Sequence, residues 1–240
     1  MLVLAVEVKA PVASFRRRLD HTYQRTLPLP PPTTLVGLAG AAMGIDTATL
    51  WSDTSPLNEL KVQALAQNQP GRATDMWTLL KIKGGKMERS PYLRELLYNA
   101  QFTLLYGGEQ NLLERLQQAF RQPAYPLSLG RDDELAHIES CALKECLPVN
   151  EPPHRFWGAI LPGDLRLLNA RPLLQEGATY EPAVVERLPT RFQIGNRGER
   201  DPVDTRDFTF LPYTVQVEVD AGALNREVYR YDDRLFVWLP

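Results

Sequence analysis

Cysteine and histidine are scarce in this 240-residue chain, with two of the first and three of the second. Cys141 and Cys146 make one C-x4-C pair with no second pair to complete it. The three histidines add too few ligands at zinc spacing, so a structural zinc site is not expected. The cysteines read as reduced thiols of a cytoplasmic protein. Nothing in the pattern asks for a cofactor. Net charge is also small: 27 basic against 29 acidic residues leave −2. A free-standing nucleic-acid binder is usually basic, so such a binder is disfavoured, while a local basic patch on a neutral body is not.

Long apolar runs are missing too. Residues 1–8 are apolar but short and interrupted by Glu7, which argues against a signal peptide. Residues 35–45 reach about half a membrane span. No membrane association is expected. There is no internal repeat and no low-complexity tract. Gly84-Gly85-Lys86 lacks the first glycine and the following Ser/Thr of a phosphate loop. Gly37, Gly40 and Gly44 sit inside a helical stretch rather than opening one, so they are no dinucleotide fingerprint.

Proline is plentiful, 20 residues in clusters, which points to short elements and shaped loops. Residues 2–8 (LVLAVEV) read as a buried strand. A basic segment, 14–25, follows. Pro28, Pro30, Pro31 and Pro32 then form a stiff lead into a helix through Met43, with Thr33 or Thr34 as its cap. The 3 and 4 spacing of Gly37, Gly40 and Gly44 predicts one glycine face packed on a sheet. Residues 76–83 and 97–106 read as strands, the second by strict alternation from Tyr98 to Tyr106. The 13 residues between them, GGKMERSPYLREL, read as the extended basic tip of a hairpin. Residues 109–121 predict an amphipathic helix, with Leu112, Leu113, Leu116 and Phe120 inward and Pro123 as its stop. Residues 125–134 read as loop. Strands are expected at 156–161 and 213–219, a terminal hairpin at 228–239 turning near Asp232–Asp233, and loop over 181–207. This order predicts an α+β protein: a ferredoxin-like (RRM-like) domain over 1–150 and a β-rich C-terminal region over 151–240.

Two segments carry chemistry. In 14–25, Arg16, Arg17, Arg18 and Arg25 stand against Asp20, with Phe15, His21 and Tyr23 between them. Guanidinium groups meet phosphates in bidentate fashion and aromatic rings stack on unpaired bases. A solvated loop with Phe15 buried would look the same. In the hairpin, Lys81, Lys83, Lys86, Arg89 and Arg94 stand against Glu88; a solvent-facing hairpin is the plainer alternative. His21, His137 and His154 are the candidates for acid–base work on RNA, which needs a base near a 2′-hydroxyl and a donor for the leaving oxygen. A structural role suits each better. The acidic run Asp132, Asp133, Glu134 would repel RNA near His137, and nothing marks Asp132 and Asp133 as a metal site.

Residues 13–44, ASFRRRLDHTYQRTLPLPPPTTLVGLAGAAMG, resemble the amino-terminal signature of the CRISPR-associated "Cas five" family of the RAMP superfamily. The parts are a first strand, Ala13-Ser14-Phe15-Arg16, a proline-rich lead from Pro28 to Pro32, and a glycine-rich first helix from Gly37 to Gly44. Leu129-Gly130-Arg131 is similar to a short L-G-R element in the middle of such proteins, and the hairpin near 76–106 lies where the family carries a thumb. The likeness covers the first 135 residues. It implies a ferredoxin-like domain with an extended thumb hairpin, and a Cascade subunit that holds the 5′ handle of the CRISPR guide RNA. It further implies partners: the backbone subunit whose filament it caps, the large subunit, and target DNA only indirectly. The overall character resembles the subtype B branch, in which a separate endonuclease cuts precursor RNA. The RNA contacts expected on this basis are Phe15, Arg16, Arg17, Arg18, His21, Tyr23, Arg25, Lys81, Lys83, Lys86, Arg89, Tyr92, Arg94, Gly130 and Arg131. No catalytic residue, metal or cofactor is expected. Two rivals stay open: a metal-independent endoribonuclease on the same fold, marked by a converging His/Lys/Tyr cluster, and a structural cap that touches protein partners only.

Overall fold

A computed structural model describes residues 1–173 and 180–240. In chain order the N-terminal strands and helices are β1 (Leu2–Ala13), β2 (Tyr23–Gln24), α1 (Pro32–Met43), α2 (Thr47–Leu50), β3 (Lys61–Ala66), β4 (Gly71–Lys83), β5 (Lys86–Gly107), α3 (Gln110–Arg121) and β6 (His137–Glu145). Then come β7 (Leu147–Pro148), β8 (His154–Trp157), β9 (Ile160–Pro162), β10 (Arg171–Leu173), β11 (Val184–Ile194) and β12 (Arg200–Phe210). The chain ends with β13 (Gln216–Val219), α4 (Ala221–Leu224), β14 (Val228–Tyr231) and β15 (Arg234–Val237). The protein is therefore α+β and strand-rich. No helix among the described residues is long and apolar enough to cross a membrane.

The main sheet runs β2-β5-β1-β6, with β3 and β4 also paired to β5. β1 lies between β5 and β6, antiparallel to both. Its near-continuous apolar run reflects burial on both faces. Leu4, Val6, Val8 and Ala10 enter the largest core with α1 and α3, while Val3 and Ala5 enter a second core with Tyr229, Phe236 and Trp238. Period-2 alternation thus splits one strand between two cores. Tyr106 is wholly buried and donates its hydroxyl to the Leu35 carbonyl of α1 at 3.2 Å, tying helix to sheet. Ile160, Leu188, Phe208, Phe210 and Leu239 join the largest core from the C-terminal part.

Several expectations need correction. α1 has no threonine cap: Pro31 is its N-cap and Pro32 its first residue, where the missing N–H costs nothing. The glycine face does not pack on the sheet. A Cβ on Gly37 meets nothing within 4 Å, one on Gly40 lies 2.9 Å from Leu50 Cδ1 of α2, and Gly44 is the left-handed C-cap. The residues expected as a long tip are almost all strand. Only Gly84 and Gly85 turn, with φ of 57° and 75°, the positive pair that a two-residue hairpin turn demands. Residues 156–161 split into β8 and β9 at Gly158 (φ 50°). The loop expected over 181–207 is largely the β11–β12 hairpin, whose register shifts around Pro189 and Arg191. Such bulges accommodate a proline that cannot donate to the ladder. α3 and the terminal hairpin stand where the sequence places them; Asp232 takes φ 50° at the turn.

Candidate nucleic-acid interface

Three stretches far apart in sequence converge on one cleft of about 640 Å³. They are the segment after β1, the turn at Gly130–Arg131 and the base of the β4–β5 hairpin. Pro31, Thr33 and Thr34 of the α1 entry and Leu188, Pro189 and Phe192 of β11 complete its walls. The first turn of α1 adds the partial positive charge of a helix N-terminus.

The segment after β1 folds back on itself. Phe15 N–H donates to Thr26 Oγ1 at 2.8 Å, Leu27 N–H to the Phe15 carbonyl at 2.8 Å, and Arg17 N–H to the Arg25 carbonyl at 3.1 Å. At the tip, Asp20 accepts from the Arg25 backbone at 2.6 Å and its guanidinium at 2.7 Å. The hydrogen bonds from Arg25 hold the Asp20 carboxyl below its usual value. Phe15 turns inward, edge-on to Phe102 at 6.0 Å and only 3% exposed. It is a core residue rather than a stacking platform. Arg17 pairs with Glu186 of β11 and Arg25 with Asp20. Arg16 and Arg18 line the cleft, exposed and without a side-chain partner among the described residues.

The turn after α3 is built around one buried carboxylate. Glu134 is 1% exposed and accepts from Ser14 Oγ at 2.6 and 2.9 Å and from Arg131 N–H at 3.0 Å. Gly130 has φ +130°, and a Cβ there would fall 2.0 Å from Glu134 Oε2 and 2.3 Å from the Ser14 carbonyl. Glycine is the residue that allows this approach. Glu134 is thus part of the scaffold, and the repulsion of RNA expected of the acidic run does not extend to it. The turn presents Arg131, whose guanidinium donates to Gln24 Oε1 and lies 4.8 Å from the Trp77 ring centroid.

The hairpin has two faces. Cross-strand pairs place Asp75 with Arg94, Trp77 with Tyr92, Leu79 with Ser90 and Lys81 with Glu88 on one of them. Trp77 and Leu79 line the cleft, so this face looks into it. Lys81 Nζ sits 5.0 Å from the Tyr92 centroid, an aromatic–cation step further out. Arg94 is 7% exposed, 4.3 Å over Trp77, 3.1 Å from Asp75 and 3.4 Å from Asp133. It braces the hairpin base and offers no free face to a phosphate. Lys86 and Arg89 are exposed at the outer end, and Lys83 stands opposite Lys86 in the ladder. Tyr23 donates to Glu95 at 2.6 Å, which raises the Tyr23 phenol above its ordinary value. By register Glu95 belongs to the face opposite Trp77, so Tyr23 is not a cleft residue. No histidine lines the cleft among the described residues. His21 is exposed beside it in sequence, His137 is on β6, and buried His154 is on β8 with Nε2 3.2 Å from the Val149 carbonyl.

Residues 3–202 match the family profile described as CRISPR-associated protein (Cas_Cas5). The chain belongs to that family. No curated protein matches it. Among solved structures, this Cas_Cas5 chain is similar to one described as a CRISPR RNA-guided surveillance complex: 19% identity, 92% of each chain and a TM-score of 0.55. It is also similar to a CRISPR protein from Archaeoglobus fulgidus: 12% identity, 100% of each chain and a TM-score of 0.54. A third, described as a crystal structure of a Cas protein, is 29% identical over 55% of this chain and 58% of that one, at a TM-score of 0.41. The first two of these neighbours establish a shared fold. The sequence reading missed Trp77, Ser14, Gln24, Glu134 and Phe192 as parts of the site. Ser14 and Gln24 stood in the quoted signature stretch and Glu134 in the acidic run; Trp77 and Phe192 carried no local signal.

Proposed function

We propose that this Cas_Cas5 chain is a non-catalytic subunit of a CRISPR RNA-guided complex that holds the 5′ handle of the guide RNA and caps the filament of backbone subunits. The carrying observation is the cleft. Two arginines without a side-chain partner among the described residues, Arg16 and Arg18, line it together with Trp77 and the L-G-R arginine, Arg131. Cations that meet phosphates beside a ring that meets a base are what an unpaired RNA strand requires. The ferredoxin-like reading is supported by the strand order β6-β1-β5-β3 with α1 and α3 in the connections. The thumb reading is supported by the β4–β5 ribbon, whose outer half pairs with no other strand among the described residues. In this proposal the large subunit and the backbone subunit are protein partners, and a separate enzyme cuts the precursor, as in subtype B systems.

The arginines are unequal, because Arg17 and Arg25 already hold carboxylates. Arg16→Ala with Arg18→Ala should flatten the slope of log K against log salt by about 1.4, at about 0.7 per lost phosphate contact. Arg17→Ala should change it little. The measurement is repeat-RNA binding between low and moderate salt, on the chain assembled with its partner subunits. A wild-type slope in the double variant would place the RNA elsewhere. Single-site cleavage of repeat RNA that disappears on His21→Ala would replace the proposal with the endoribonuclease reading.

A further inference from the structure

The arginines in and beside the cleft differ in what holds them. Arg17, Arg25 and Arg94 each meet a carboxylate, on Glu186, Asp20 and Asp75. Arg131 lines the cleft and is held instead by a neutral group, the side-chain carbonyl of Gln24. Gln24 is itself buried, and its Nε2 donates to the His21 carbonyl at 3.2 Å, which fixes the end of the amide that faces Arg131. The guanidinium also lies 4.8 Å from the Trp77 ring centroid, and the Arg131 backbone N–H donates to Glu134 at 3.0 Å. The Arg131 side chain is therefore oriented without losing its charge. Holding it in advance lowers the entropy cost of a directed contact. A phosphate asks for little direction, and Arg16 and Arg18 already supply charge to the cleft. A planar fork of donors held in one orientation suits a planar pair of acceptors.

We infer that Arg131 is a specificity-determining residue: its guanidinium donates to O6 and N7 of one unpaired guanine of the guide RNA, and Gln24 is the positioning residue that aims it. This rests on the reading of the chain as a guide-RNA binder. The walls favour a base over a phosphate beside Arg131. Trp77, Leu79, Leu188, Pro189 and Phe192 line the same cleft. Apolar walls receive the flat face of a base, whereas burying an anion among them is costly. The donor pattern then favours one base. Guanine presents two adjacent acceptors, O6 and N7, and this edge is the commonest base contact of arginine. Adenine carries an amino donor in place of O6. Cytosine offers O2 and N3 as an acceptor pair, but its single ring covers less of Trp77 and the apolar walls than the two rings of guanine. The cleft then divides its work: Arg16 and Arg18 hold the strand, and Arg131 reads it.

The test uses the chain assembled with its partner subunits and a set of repeat RNAs. Each handle guanine is replaced in turn by inosine, 7-deazaguanine or adenine, and each cytosine by uracil. Inosine keeps O6 and N7, 7-deazaguanine lacks N7, and adenine turns the O6 acceptor into a donor. At one guanine, binding should weaken about tenfold with 7-deazaguanine and with adenine and hold with inosine. Arg131→Ala should abolish that difference, so that all the RNAs bind alike at that position. Gln24→Met keeps the charge of Arg131 and removes its acceptor; it should reduce the difference by about threefold while the salt slope stays as in the wild type. Arg131→Ala carries the test should Gln24→Met fail to fold. A wild type without such a guanine, or a pattern that survives Arg131→Ala, would overturn the inference and leave the RNA-handle proposal standing. So would a loss confined to cytosine positions. Equal weakening of every RNA by Arg131→Ala, with a salt slope flatter by about 0.7, would make Arg131 a phosphate contact and also overturn it. Full discrimination in a folded Gln24→Met would refute the positioning role. A wild-type assembly that binds no repeat RNA would remove both this inference and the proposed function.

Discussion

Replacing Gly130 by alanine loads one Cβ onto the most crowded point of the cleft. The backbone there has φ +130°, and the new carbon would stand 2.0 Å from Glu134 Oε2 and 2.3 Å from the Ser14 carbonyl. Neither contact is tolerable, so the carboxylate or the turn must shift. The unfavourable φ alone costs on the order of 1–3 kcal/mol. Displacing Glu134 weakens buried hydrogen bonds from Ser14 and Arg131 to a charged group, each of which contributes about 1.5–3 kcal/mol. Backbone relaxation recovers part of this, so a loss of about 4 kcal/mol is expected, a large share of a typical domain's stability. The assay is urea unfolding followed by tryptophan fluorescence. With a slope of about 3 kcal/mol/M the midpoint should fall by roughly 1.3 M, with the slope unchanged. The same displacement moves Arg131, so repeat-RNA binding should weaken even where the variant is fully folded. A midpoint shift below about 0.3 M would refute the reasoning, since it would mean that the turn accepts a side chain at little cost.

The helix glycines should behave oppositely to one another. Gly40→Leu drives a side chain into Leu50 and should destabilise by about 1–3 kcal/mol. Gly37→Ala enters open space and should stabilise by up to about 1 kcal/mol, both read from unfolding midpoints. Asp20 predicts an acid-side effect. Its pKa lies below the ordinary 3.8 through the hydrogen bonds from Arg25, so its contribution is fully present above that value and is lost as pH falls through the depressed one. Asp20→Asn should therefore flatten the stability profile on the acid side, below about pH 4, and leave its shape above about pH 5 unchanged; a profile that keeps the wild-type acid slope would show the pair to be without effect.

Much of the core was legible because its signals are local. The apolar run of β1, the alternation through β5 and the 3.6-residue stripe of α3, which buries Leu113, Leu116 and Phe120, are each contained within one element. The hairpin turn was legible in principle, since two adjacent glycines between pairing strands are a turn signal. It was obscured by the charges after it, which look like loop although strands with open faces carry them readily. The β11–β12 hairpin was hidden by Pro189 and by polar alternation on a strand that is only half-buried.

From sequence alone came the α+β class, the segments that carry positive charge and aromatic rings, and the likeness to a CRISPR-associated family. Tertiary structure decided which of those charges are free. Arg17 meets an acid 169 positions away in Glu186, and Glu134 meets Ser14 120 positions away. Strand register, set by backbone pairing, sends Lys81 and Arg89 to opposite faces of one hairpin. Composition and spacing report what a segment contains within a few residues. Whether a guanidinium is neutralised, buried or open to a phosphate depends on the groups that folding brings beside it, and those groups come from distant parts of the chain.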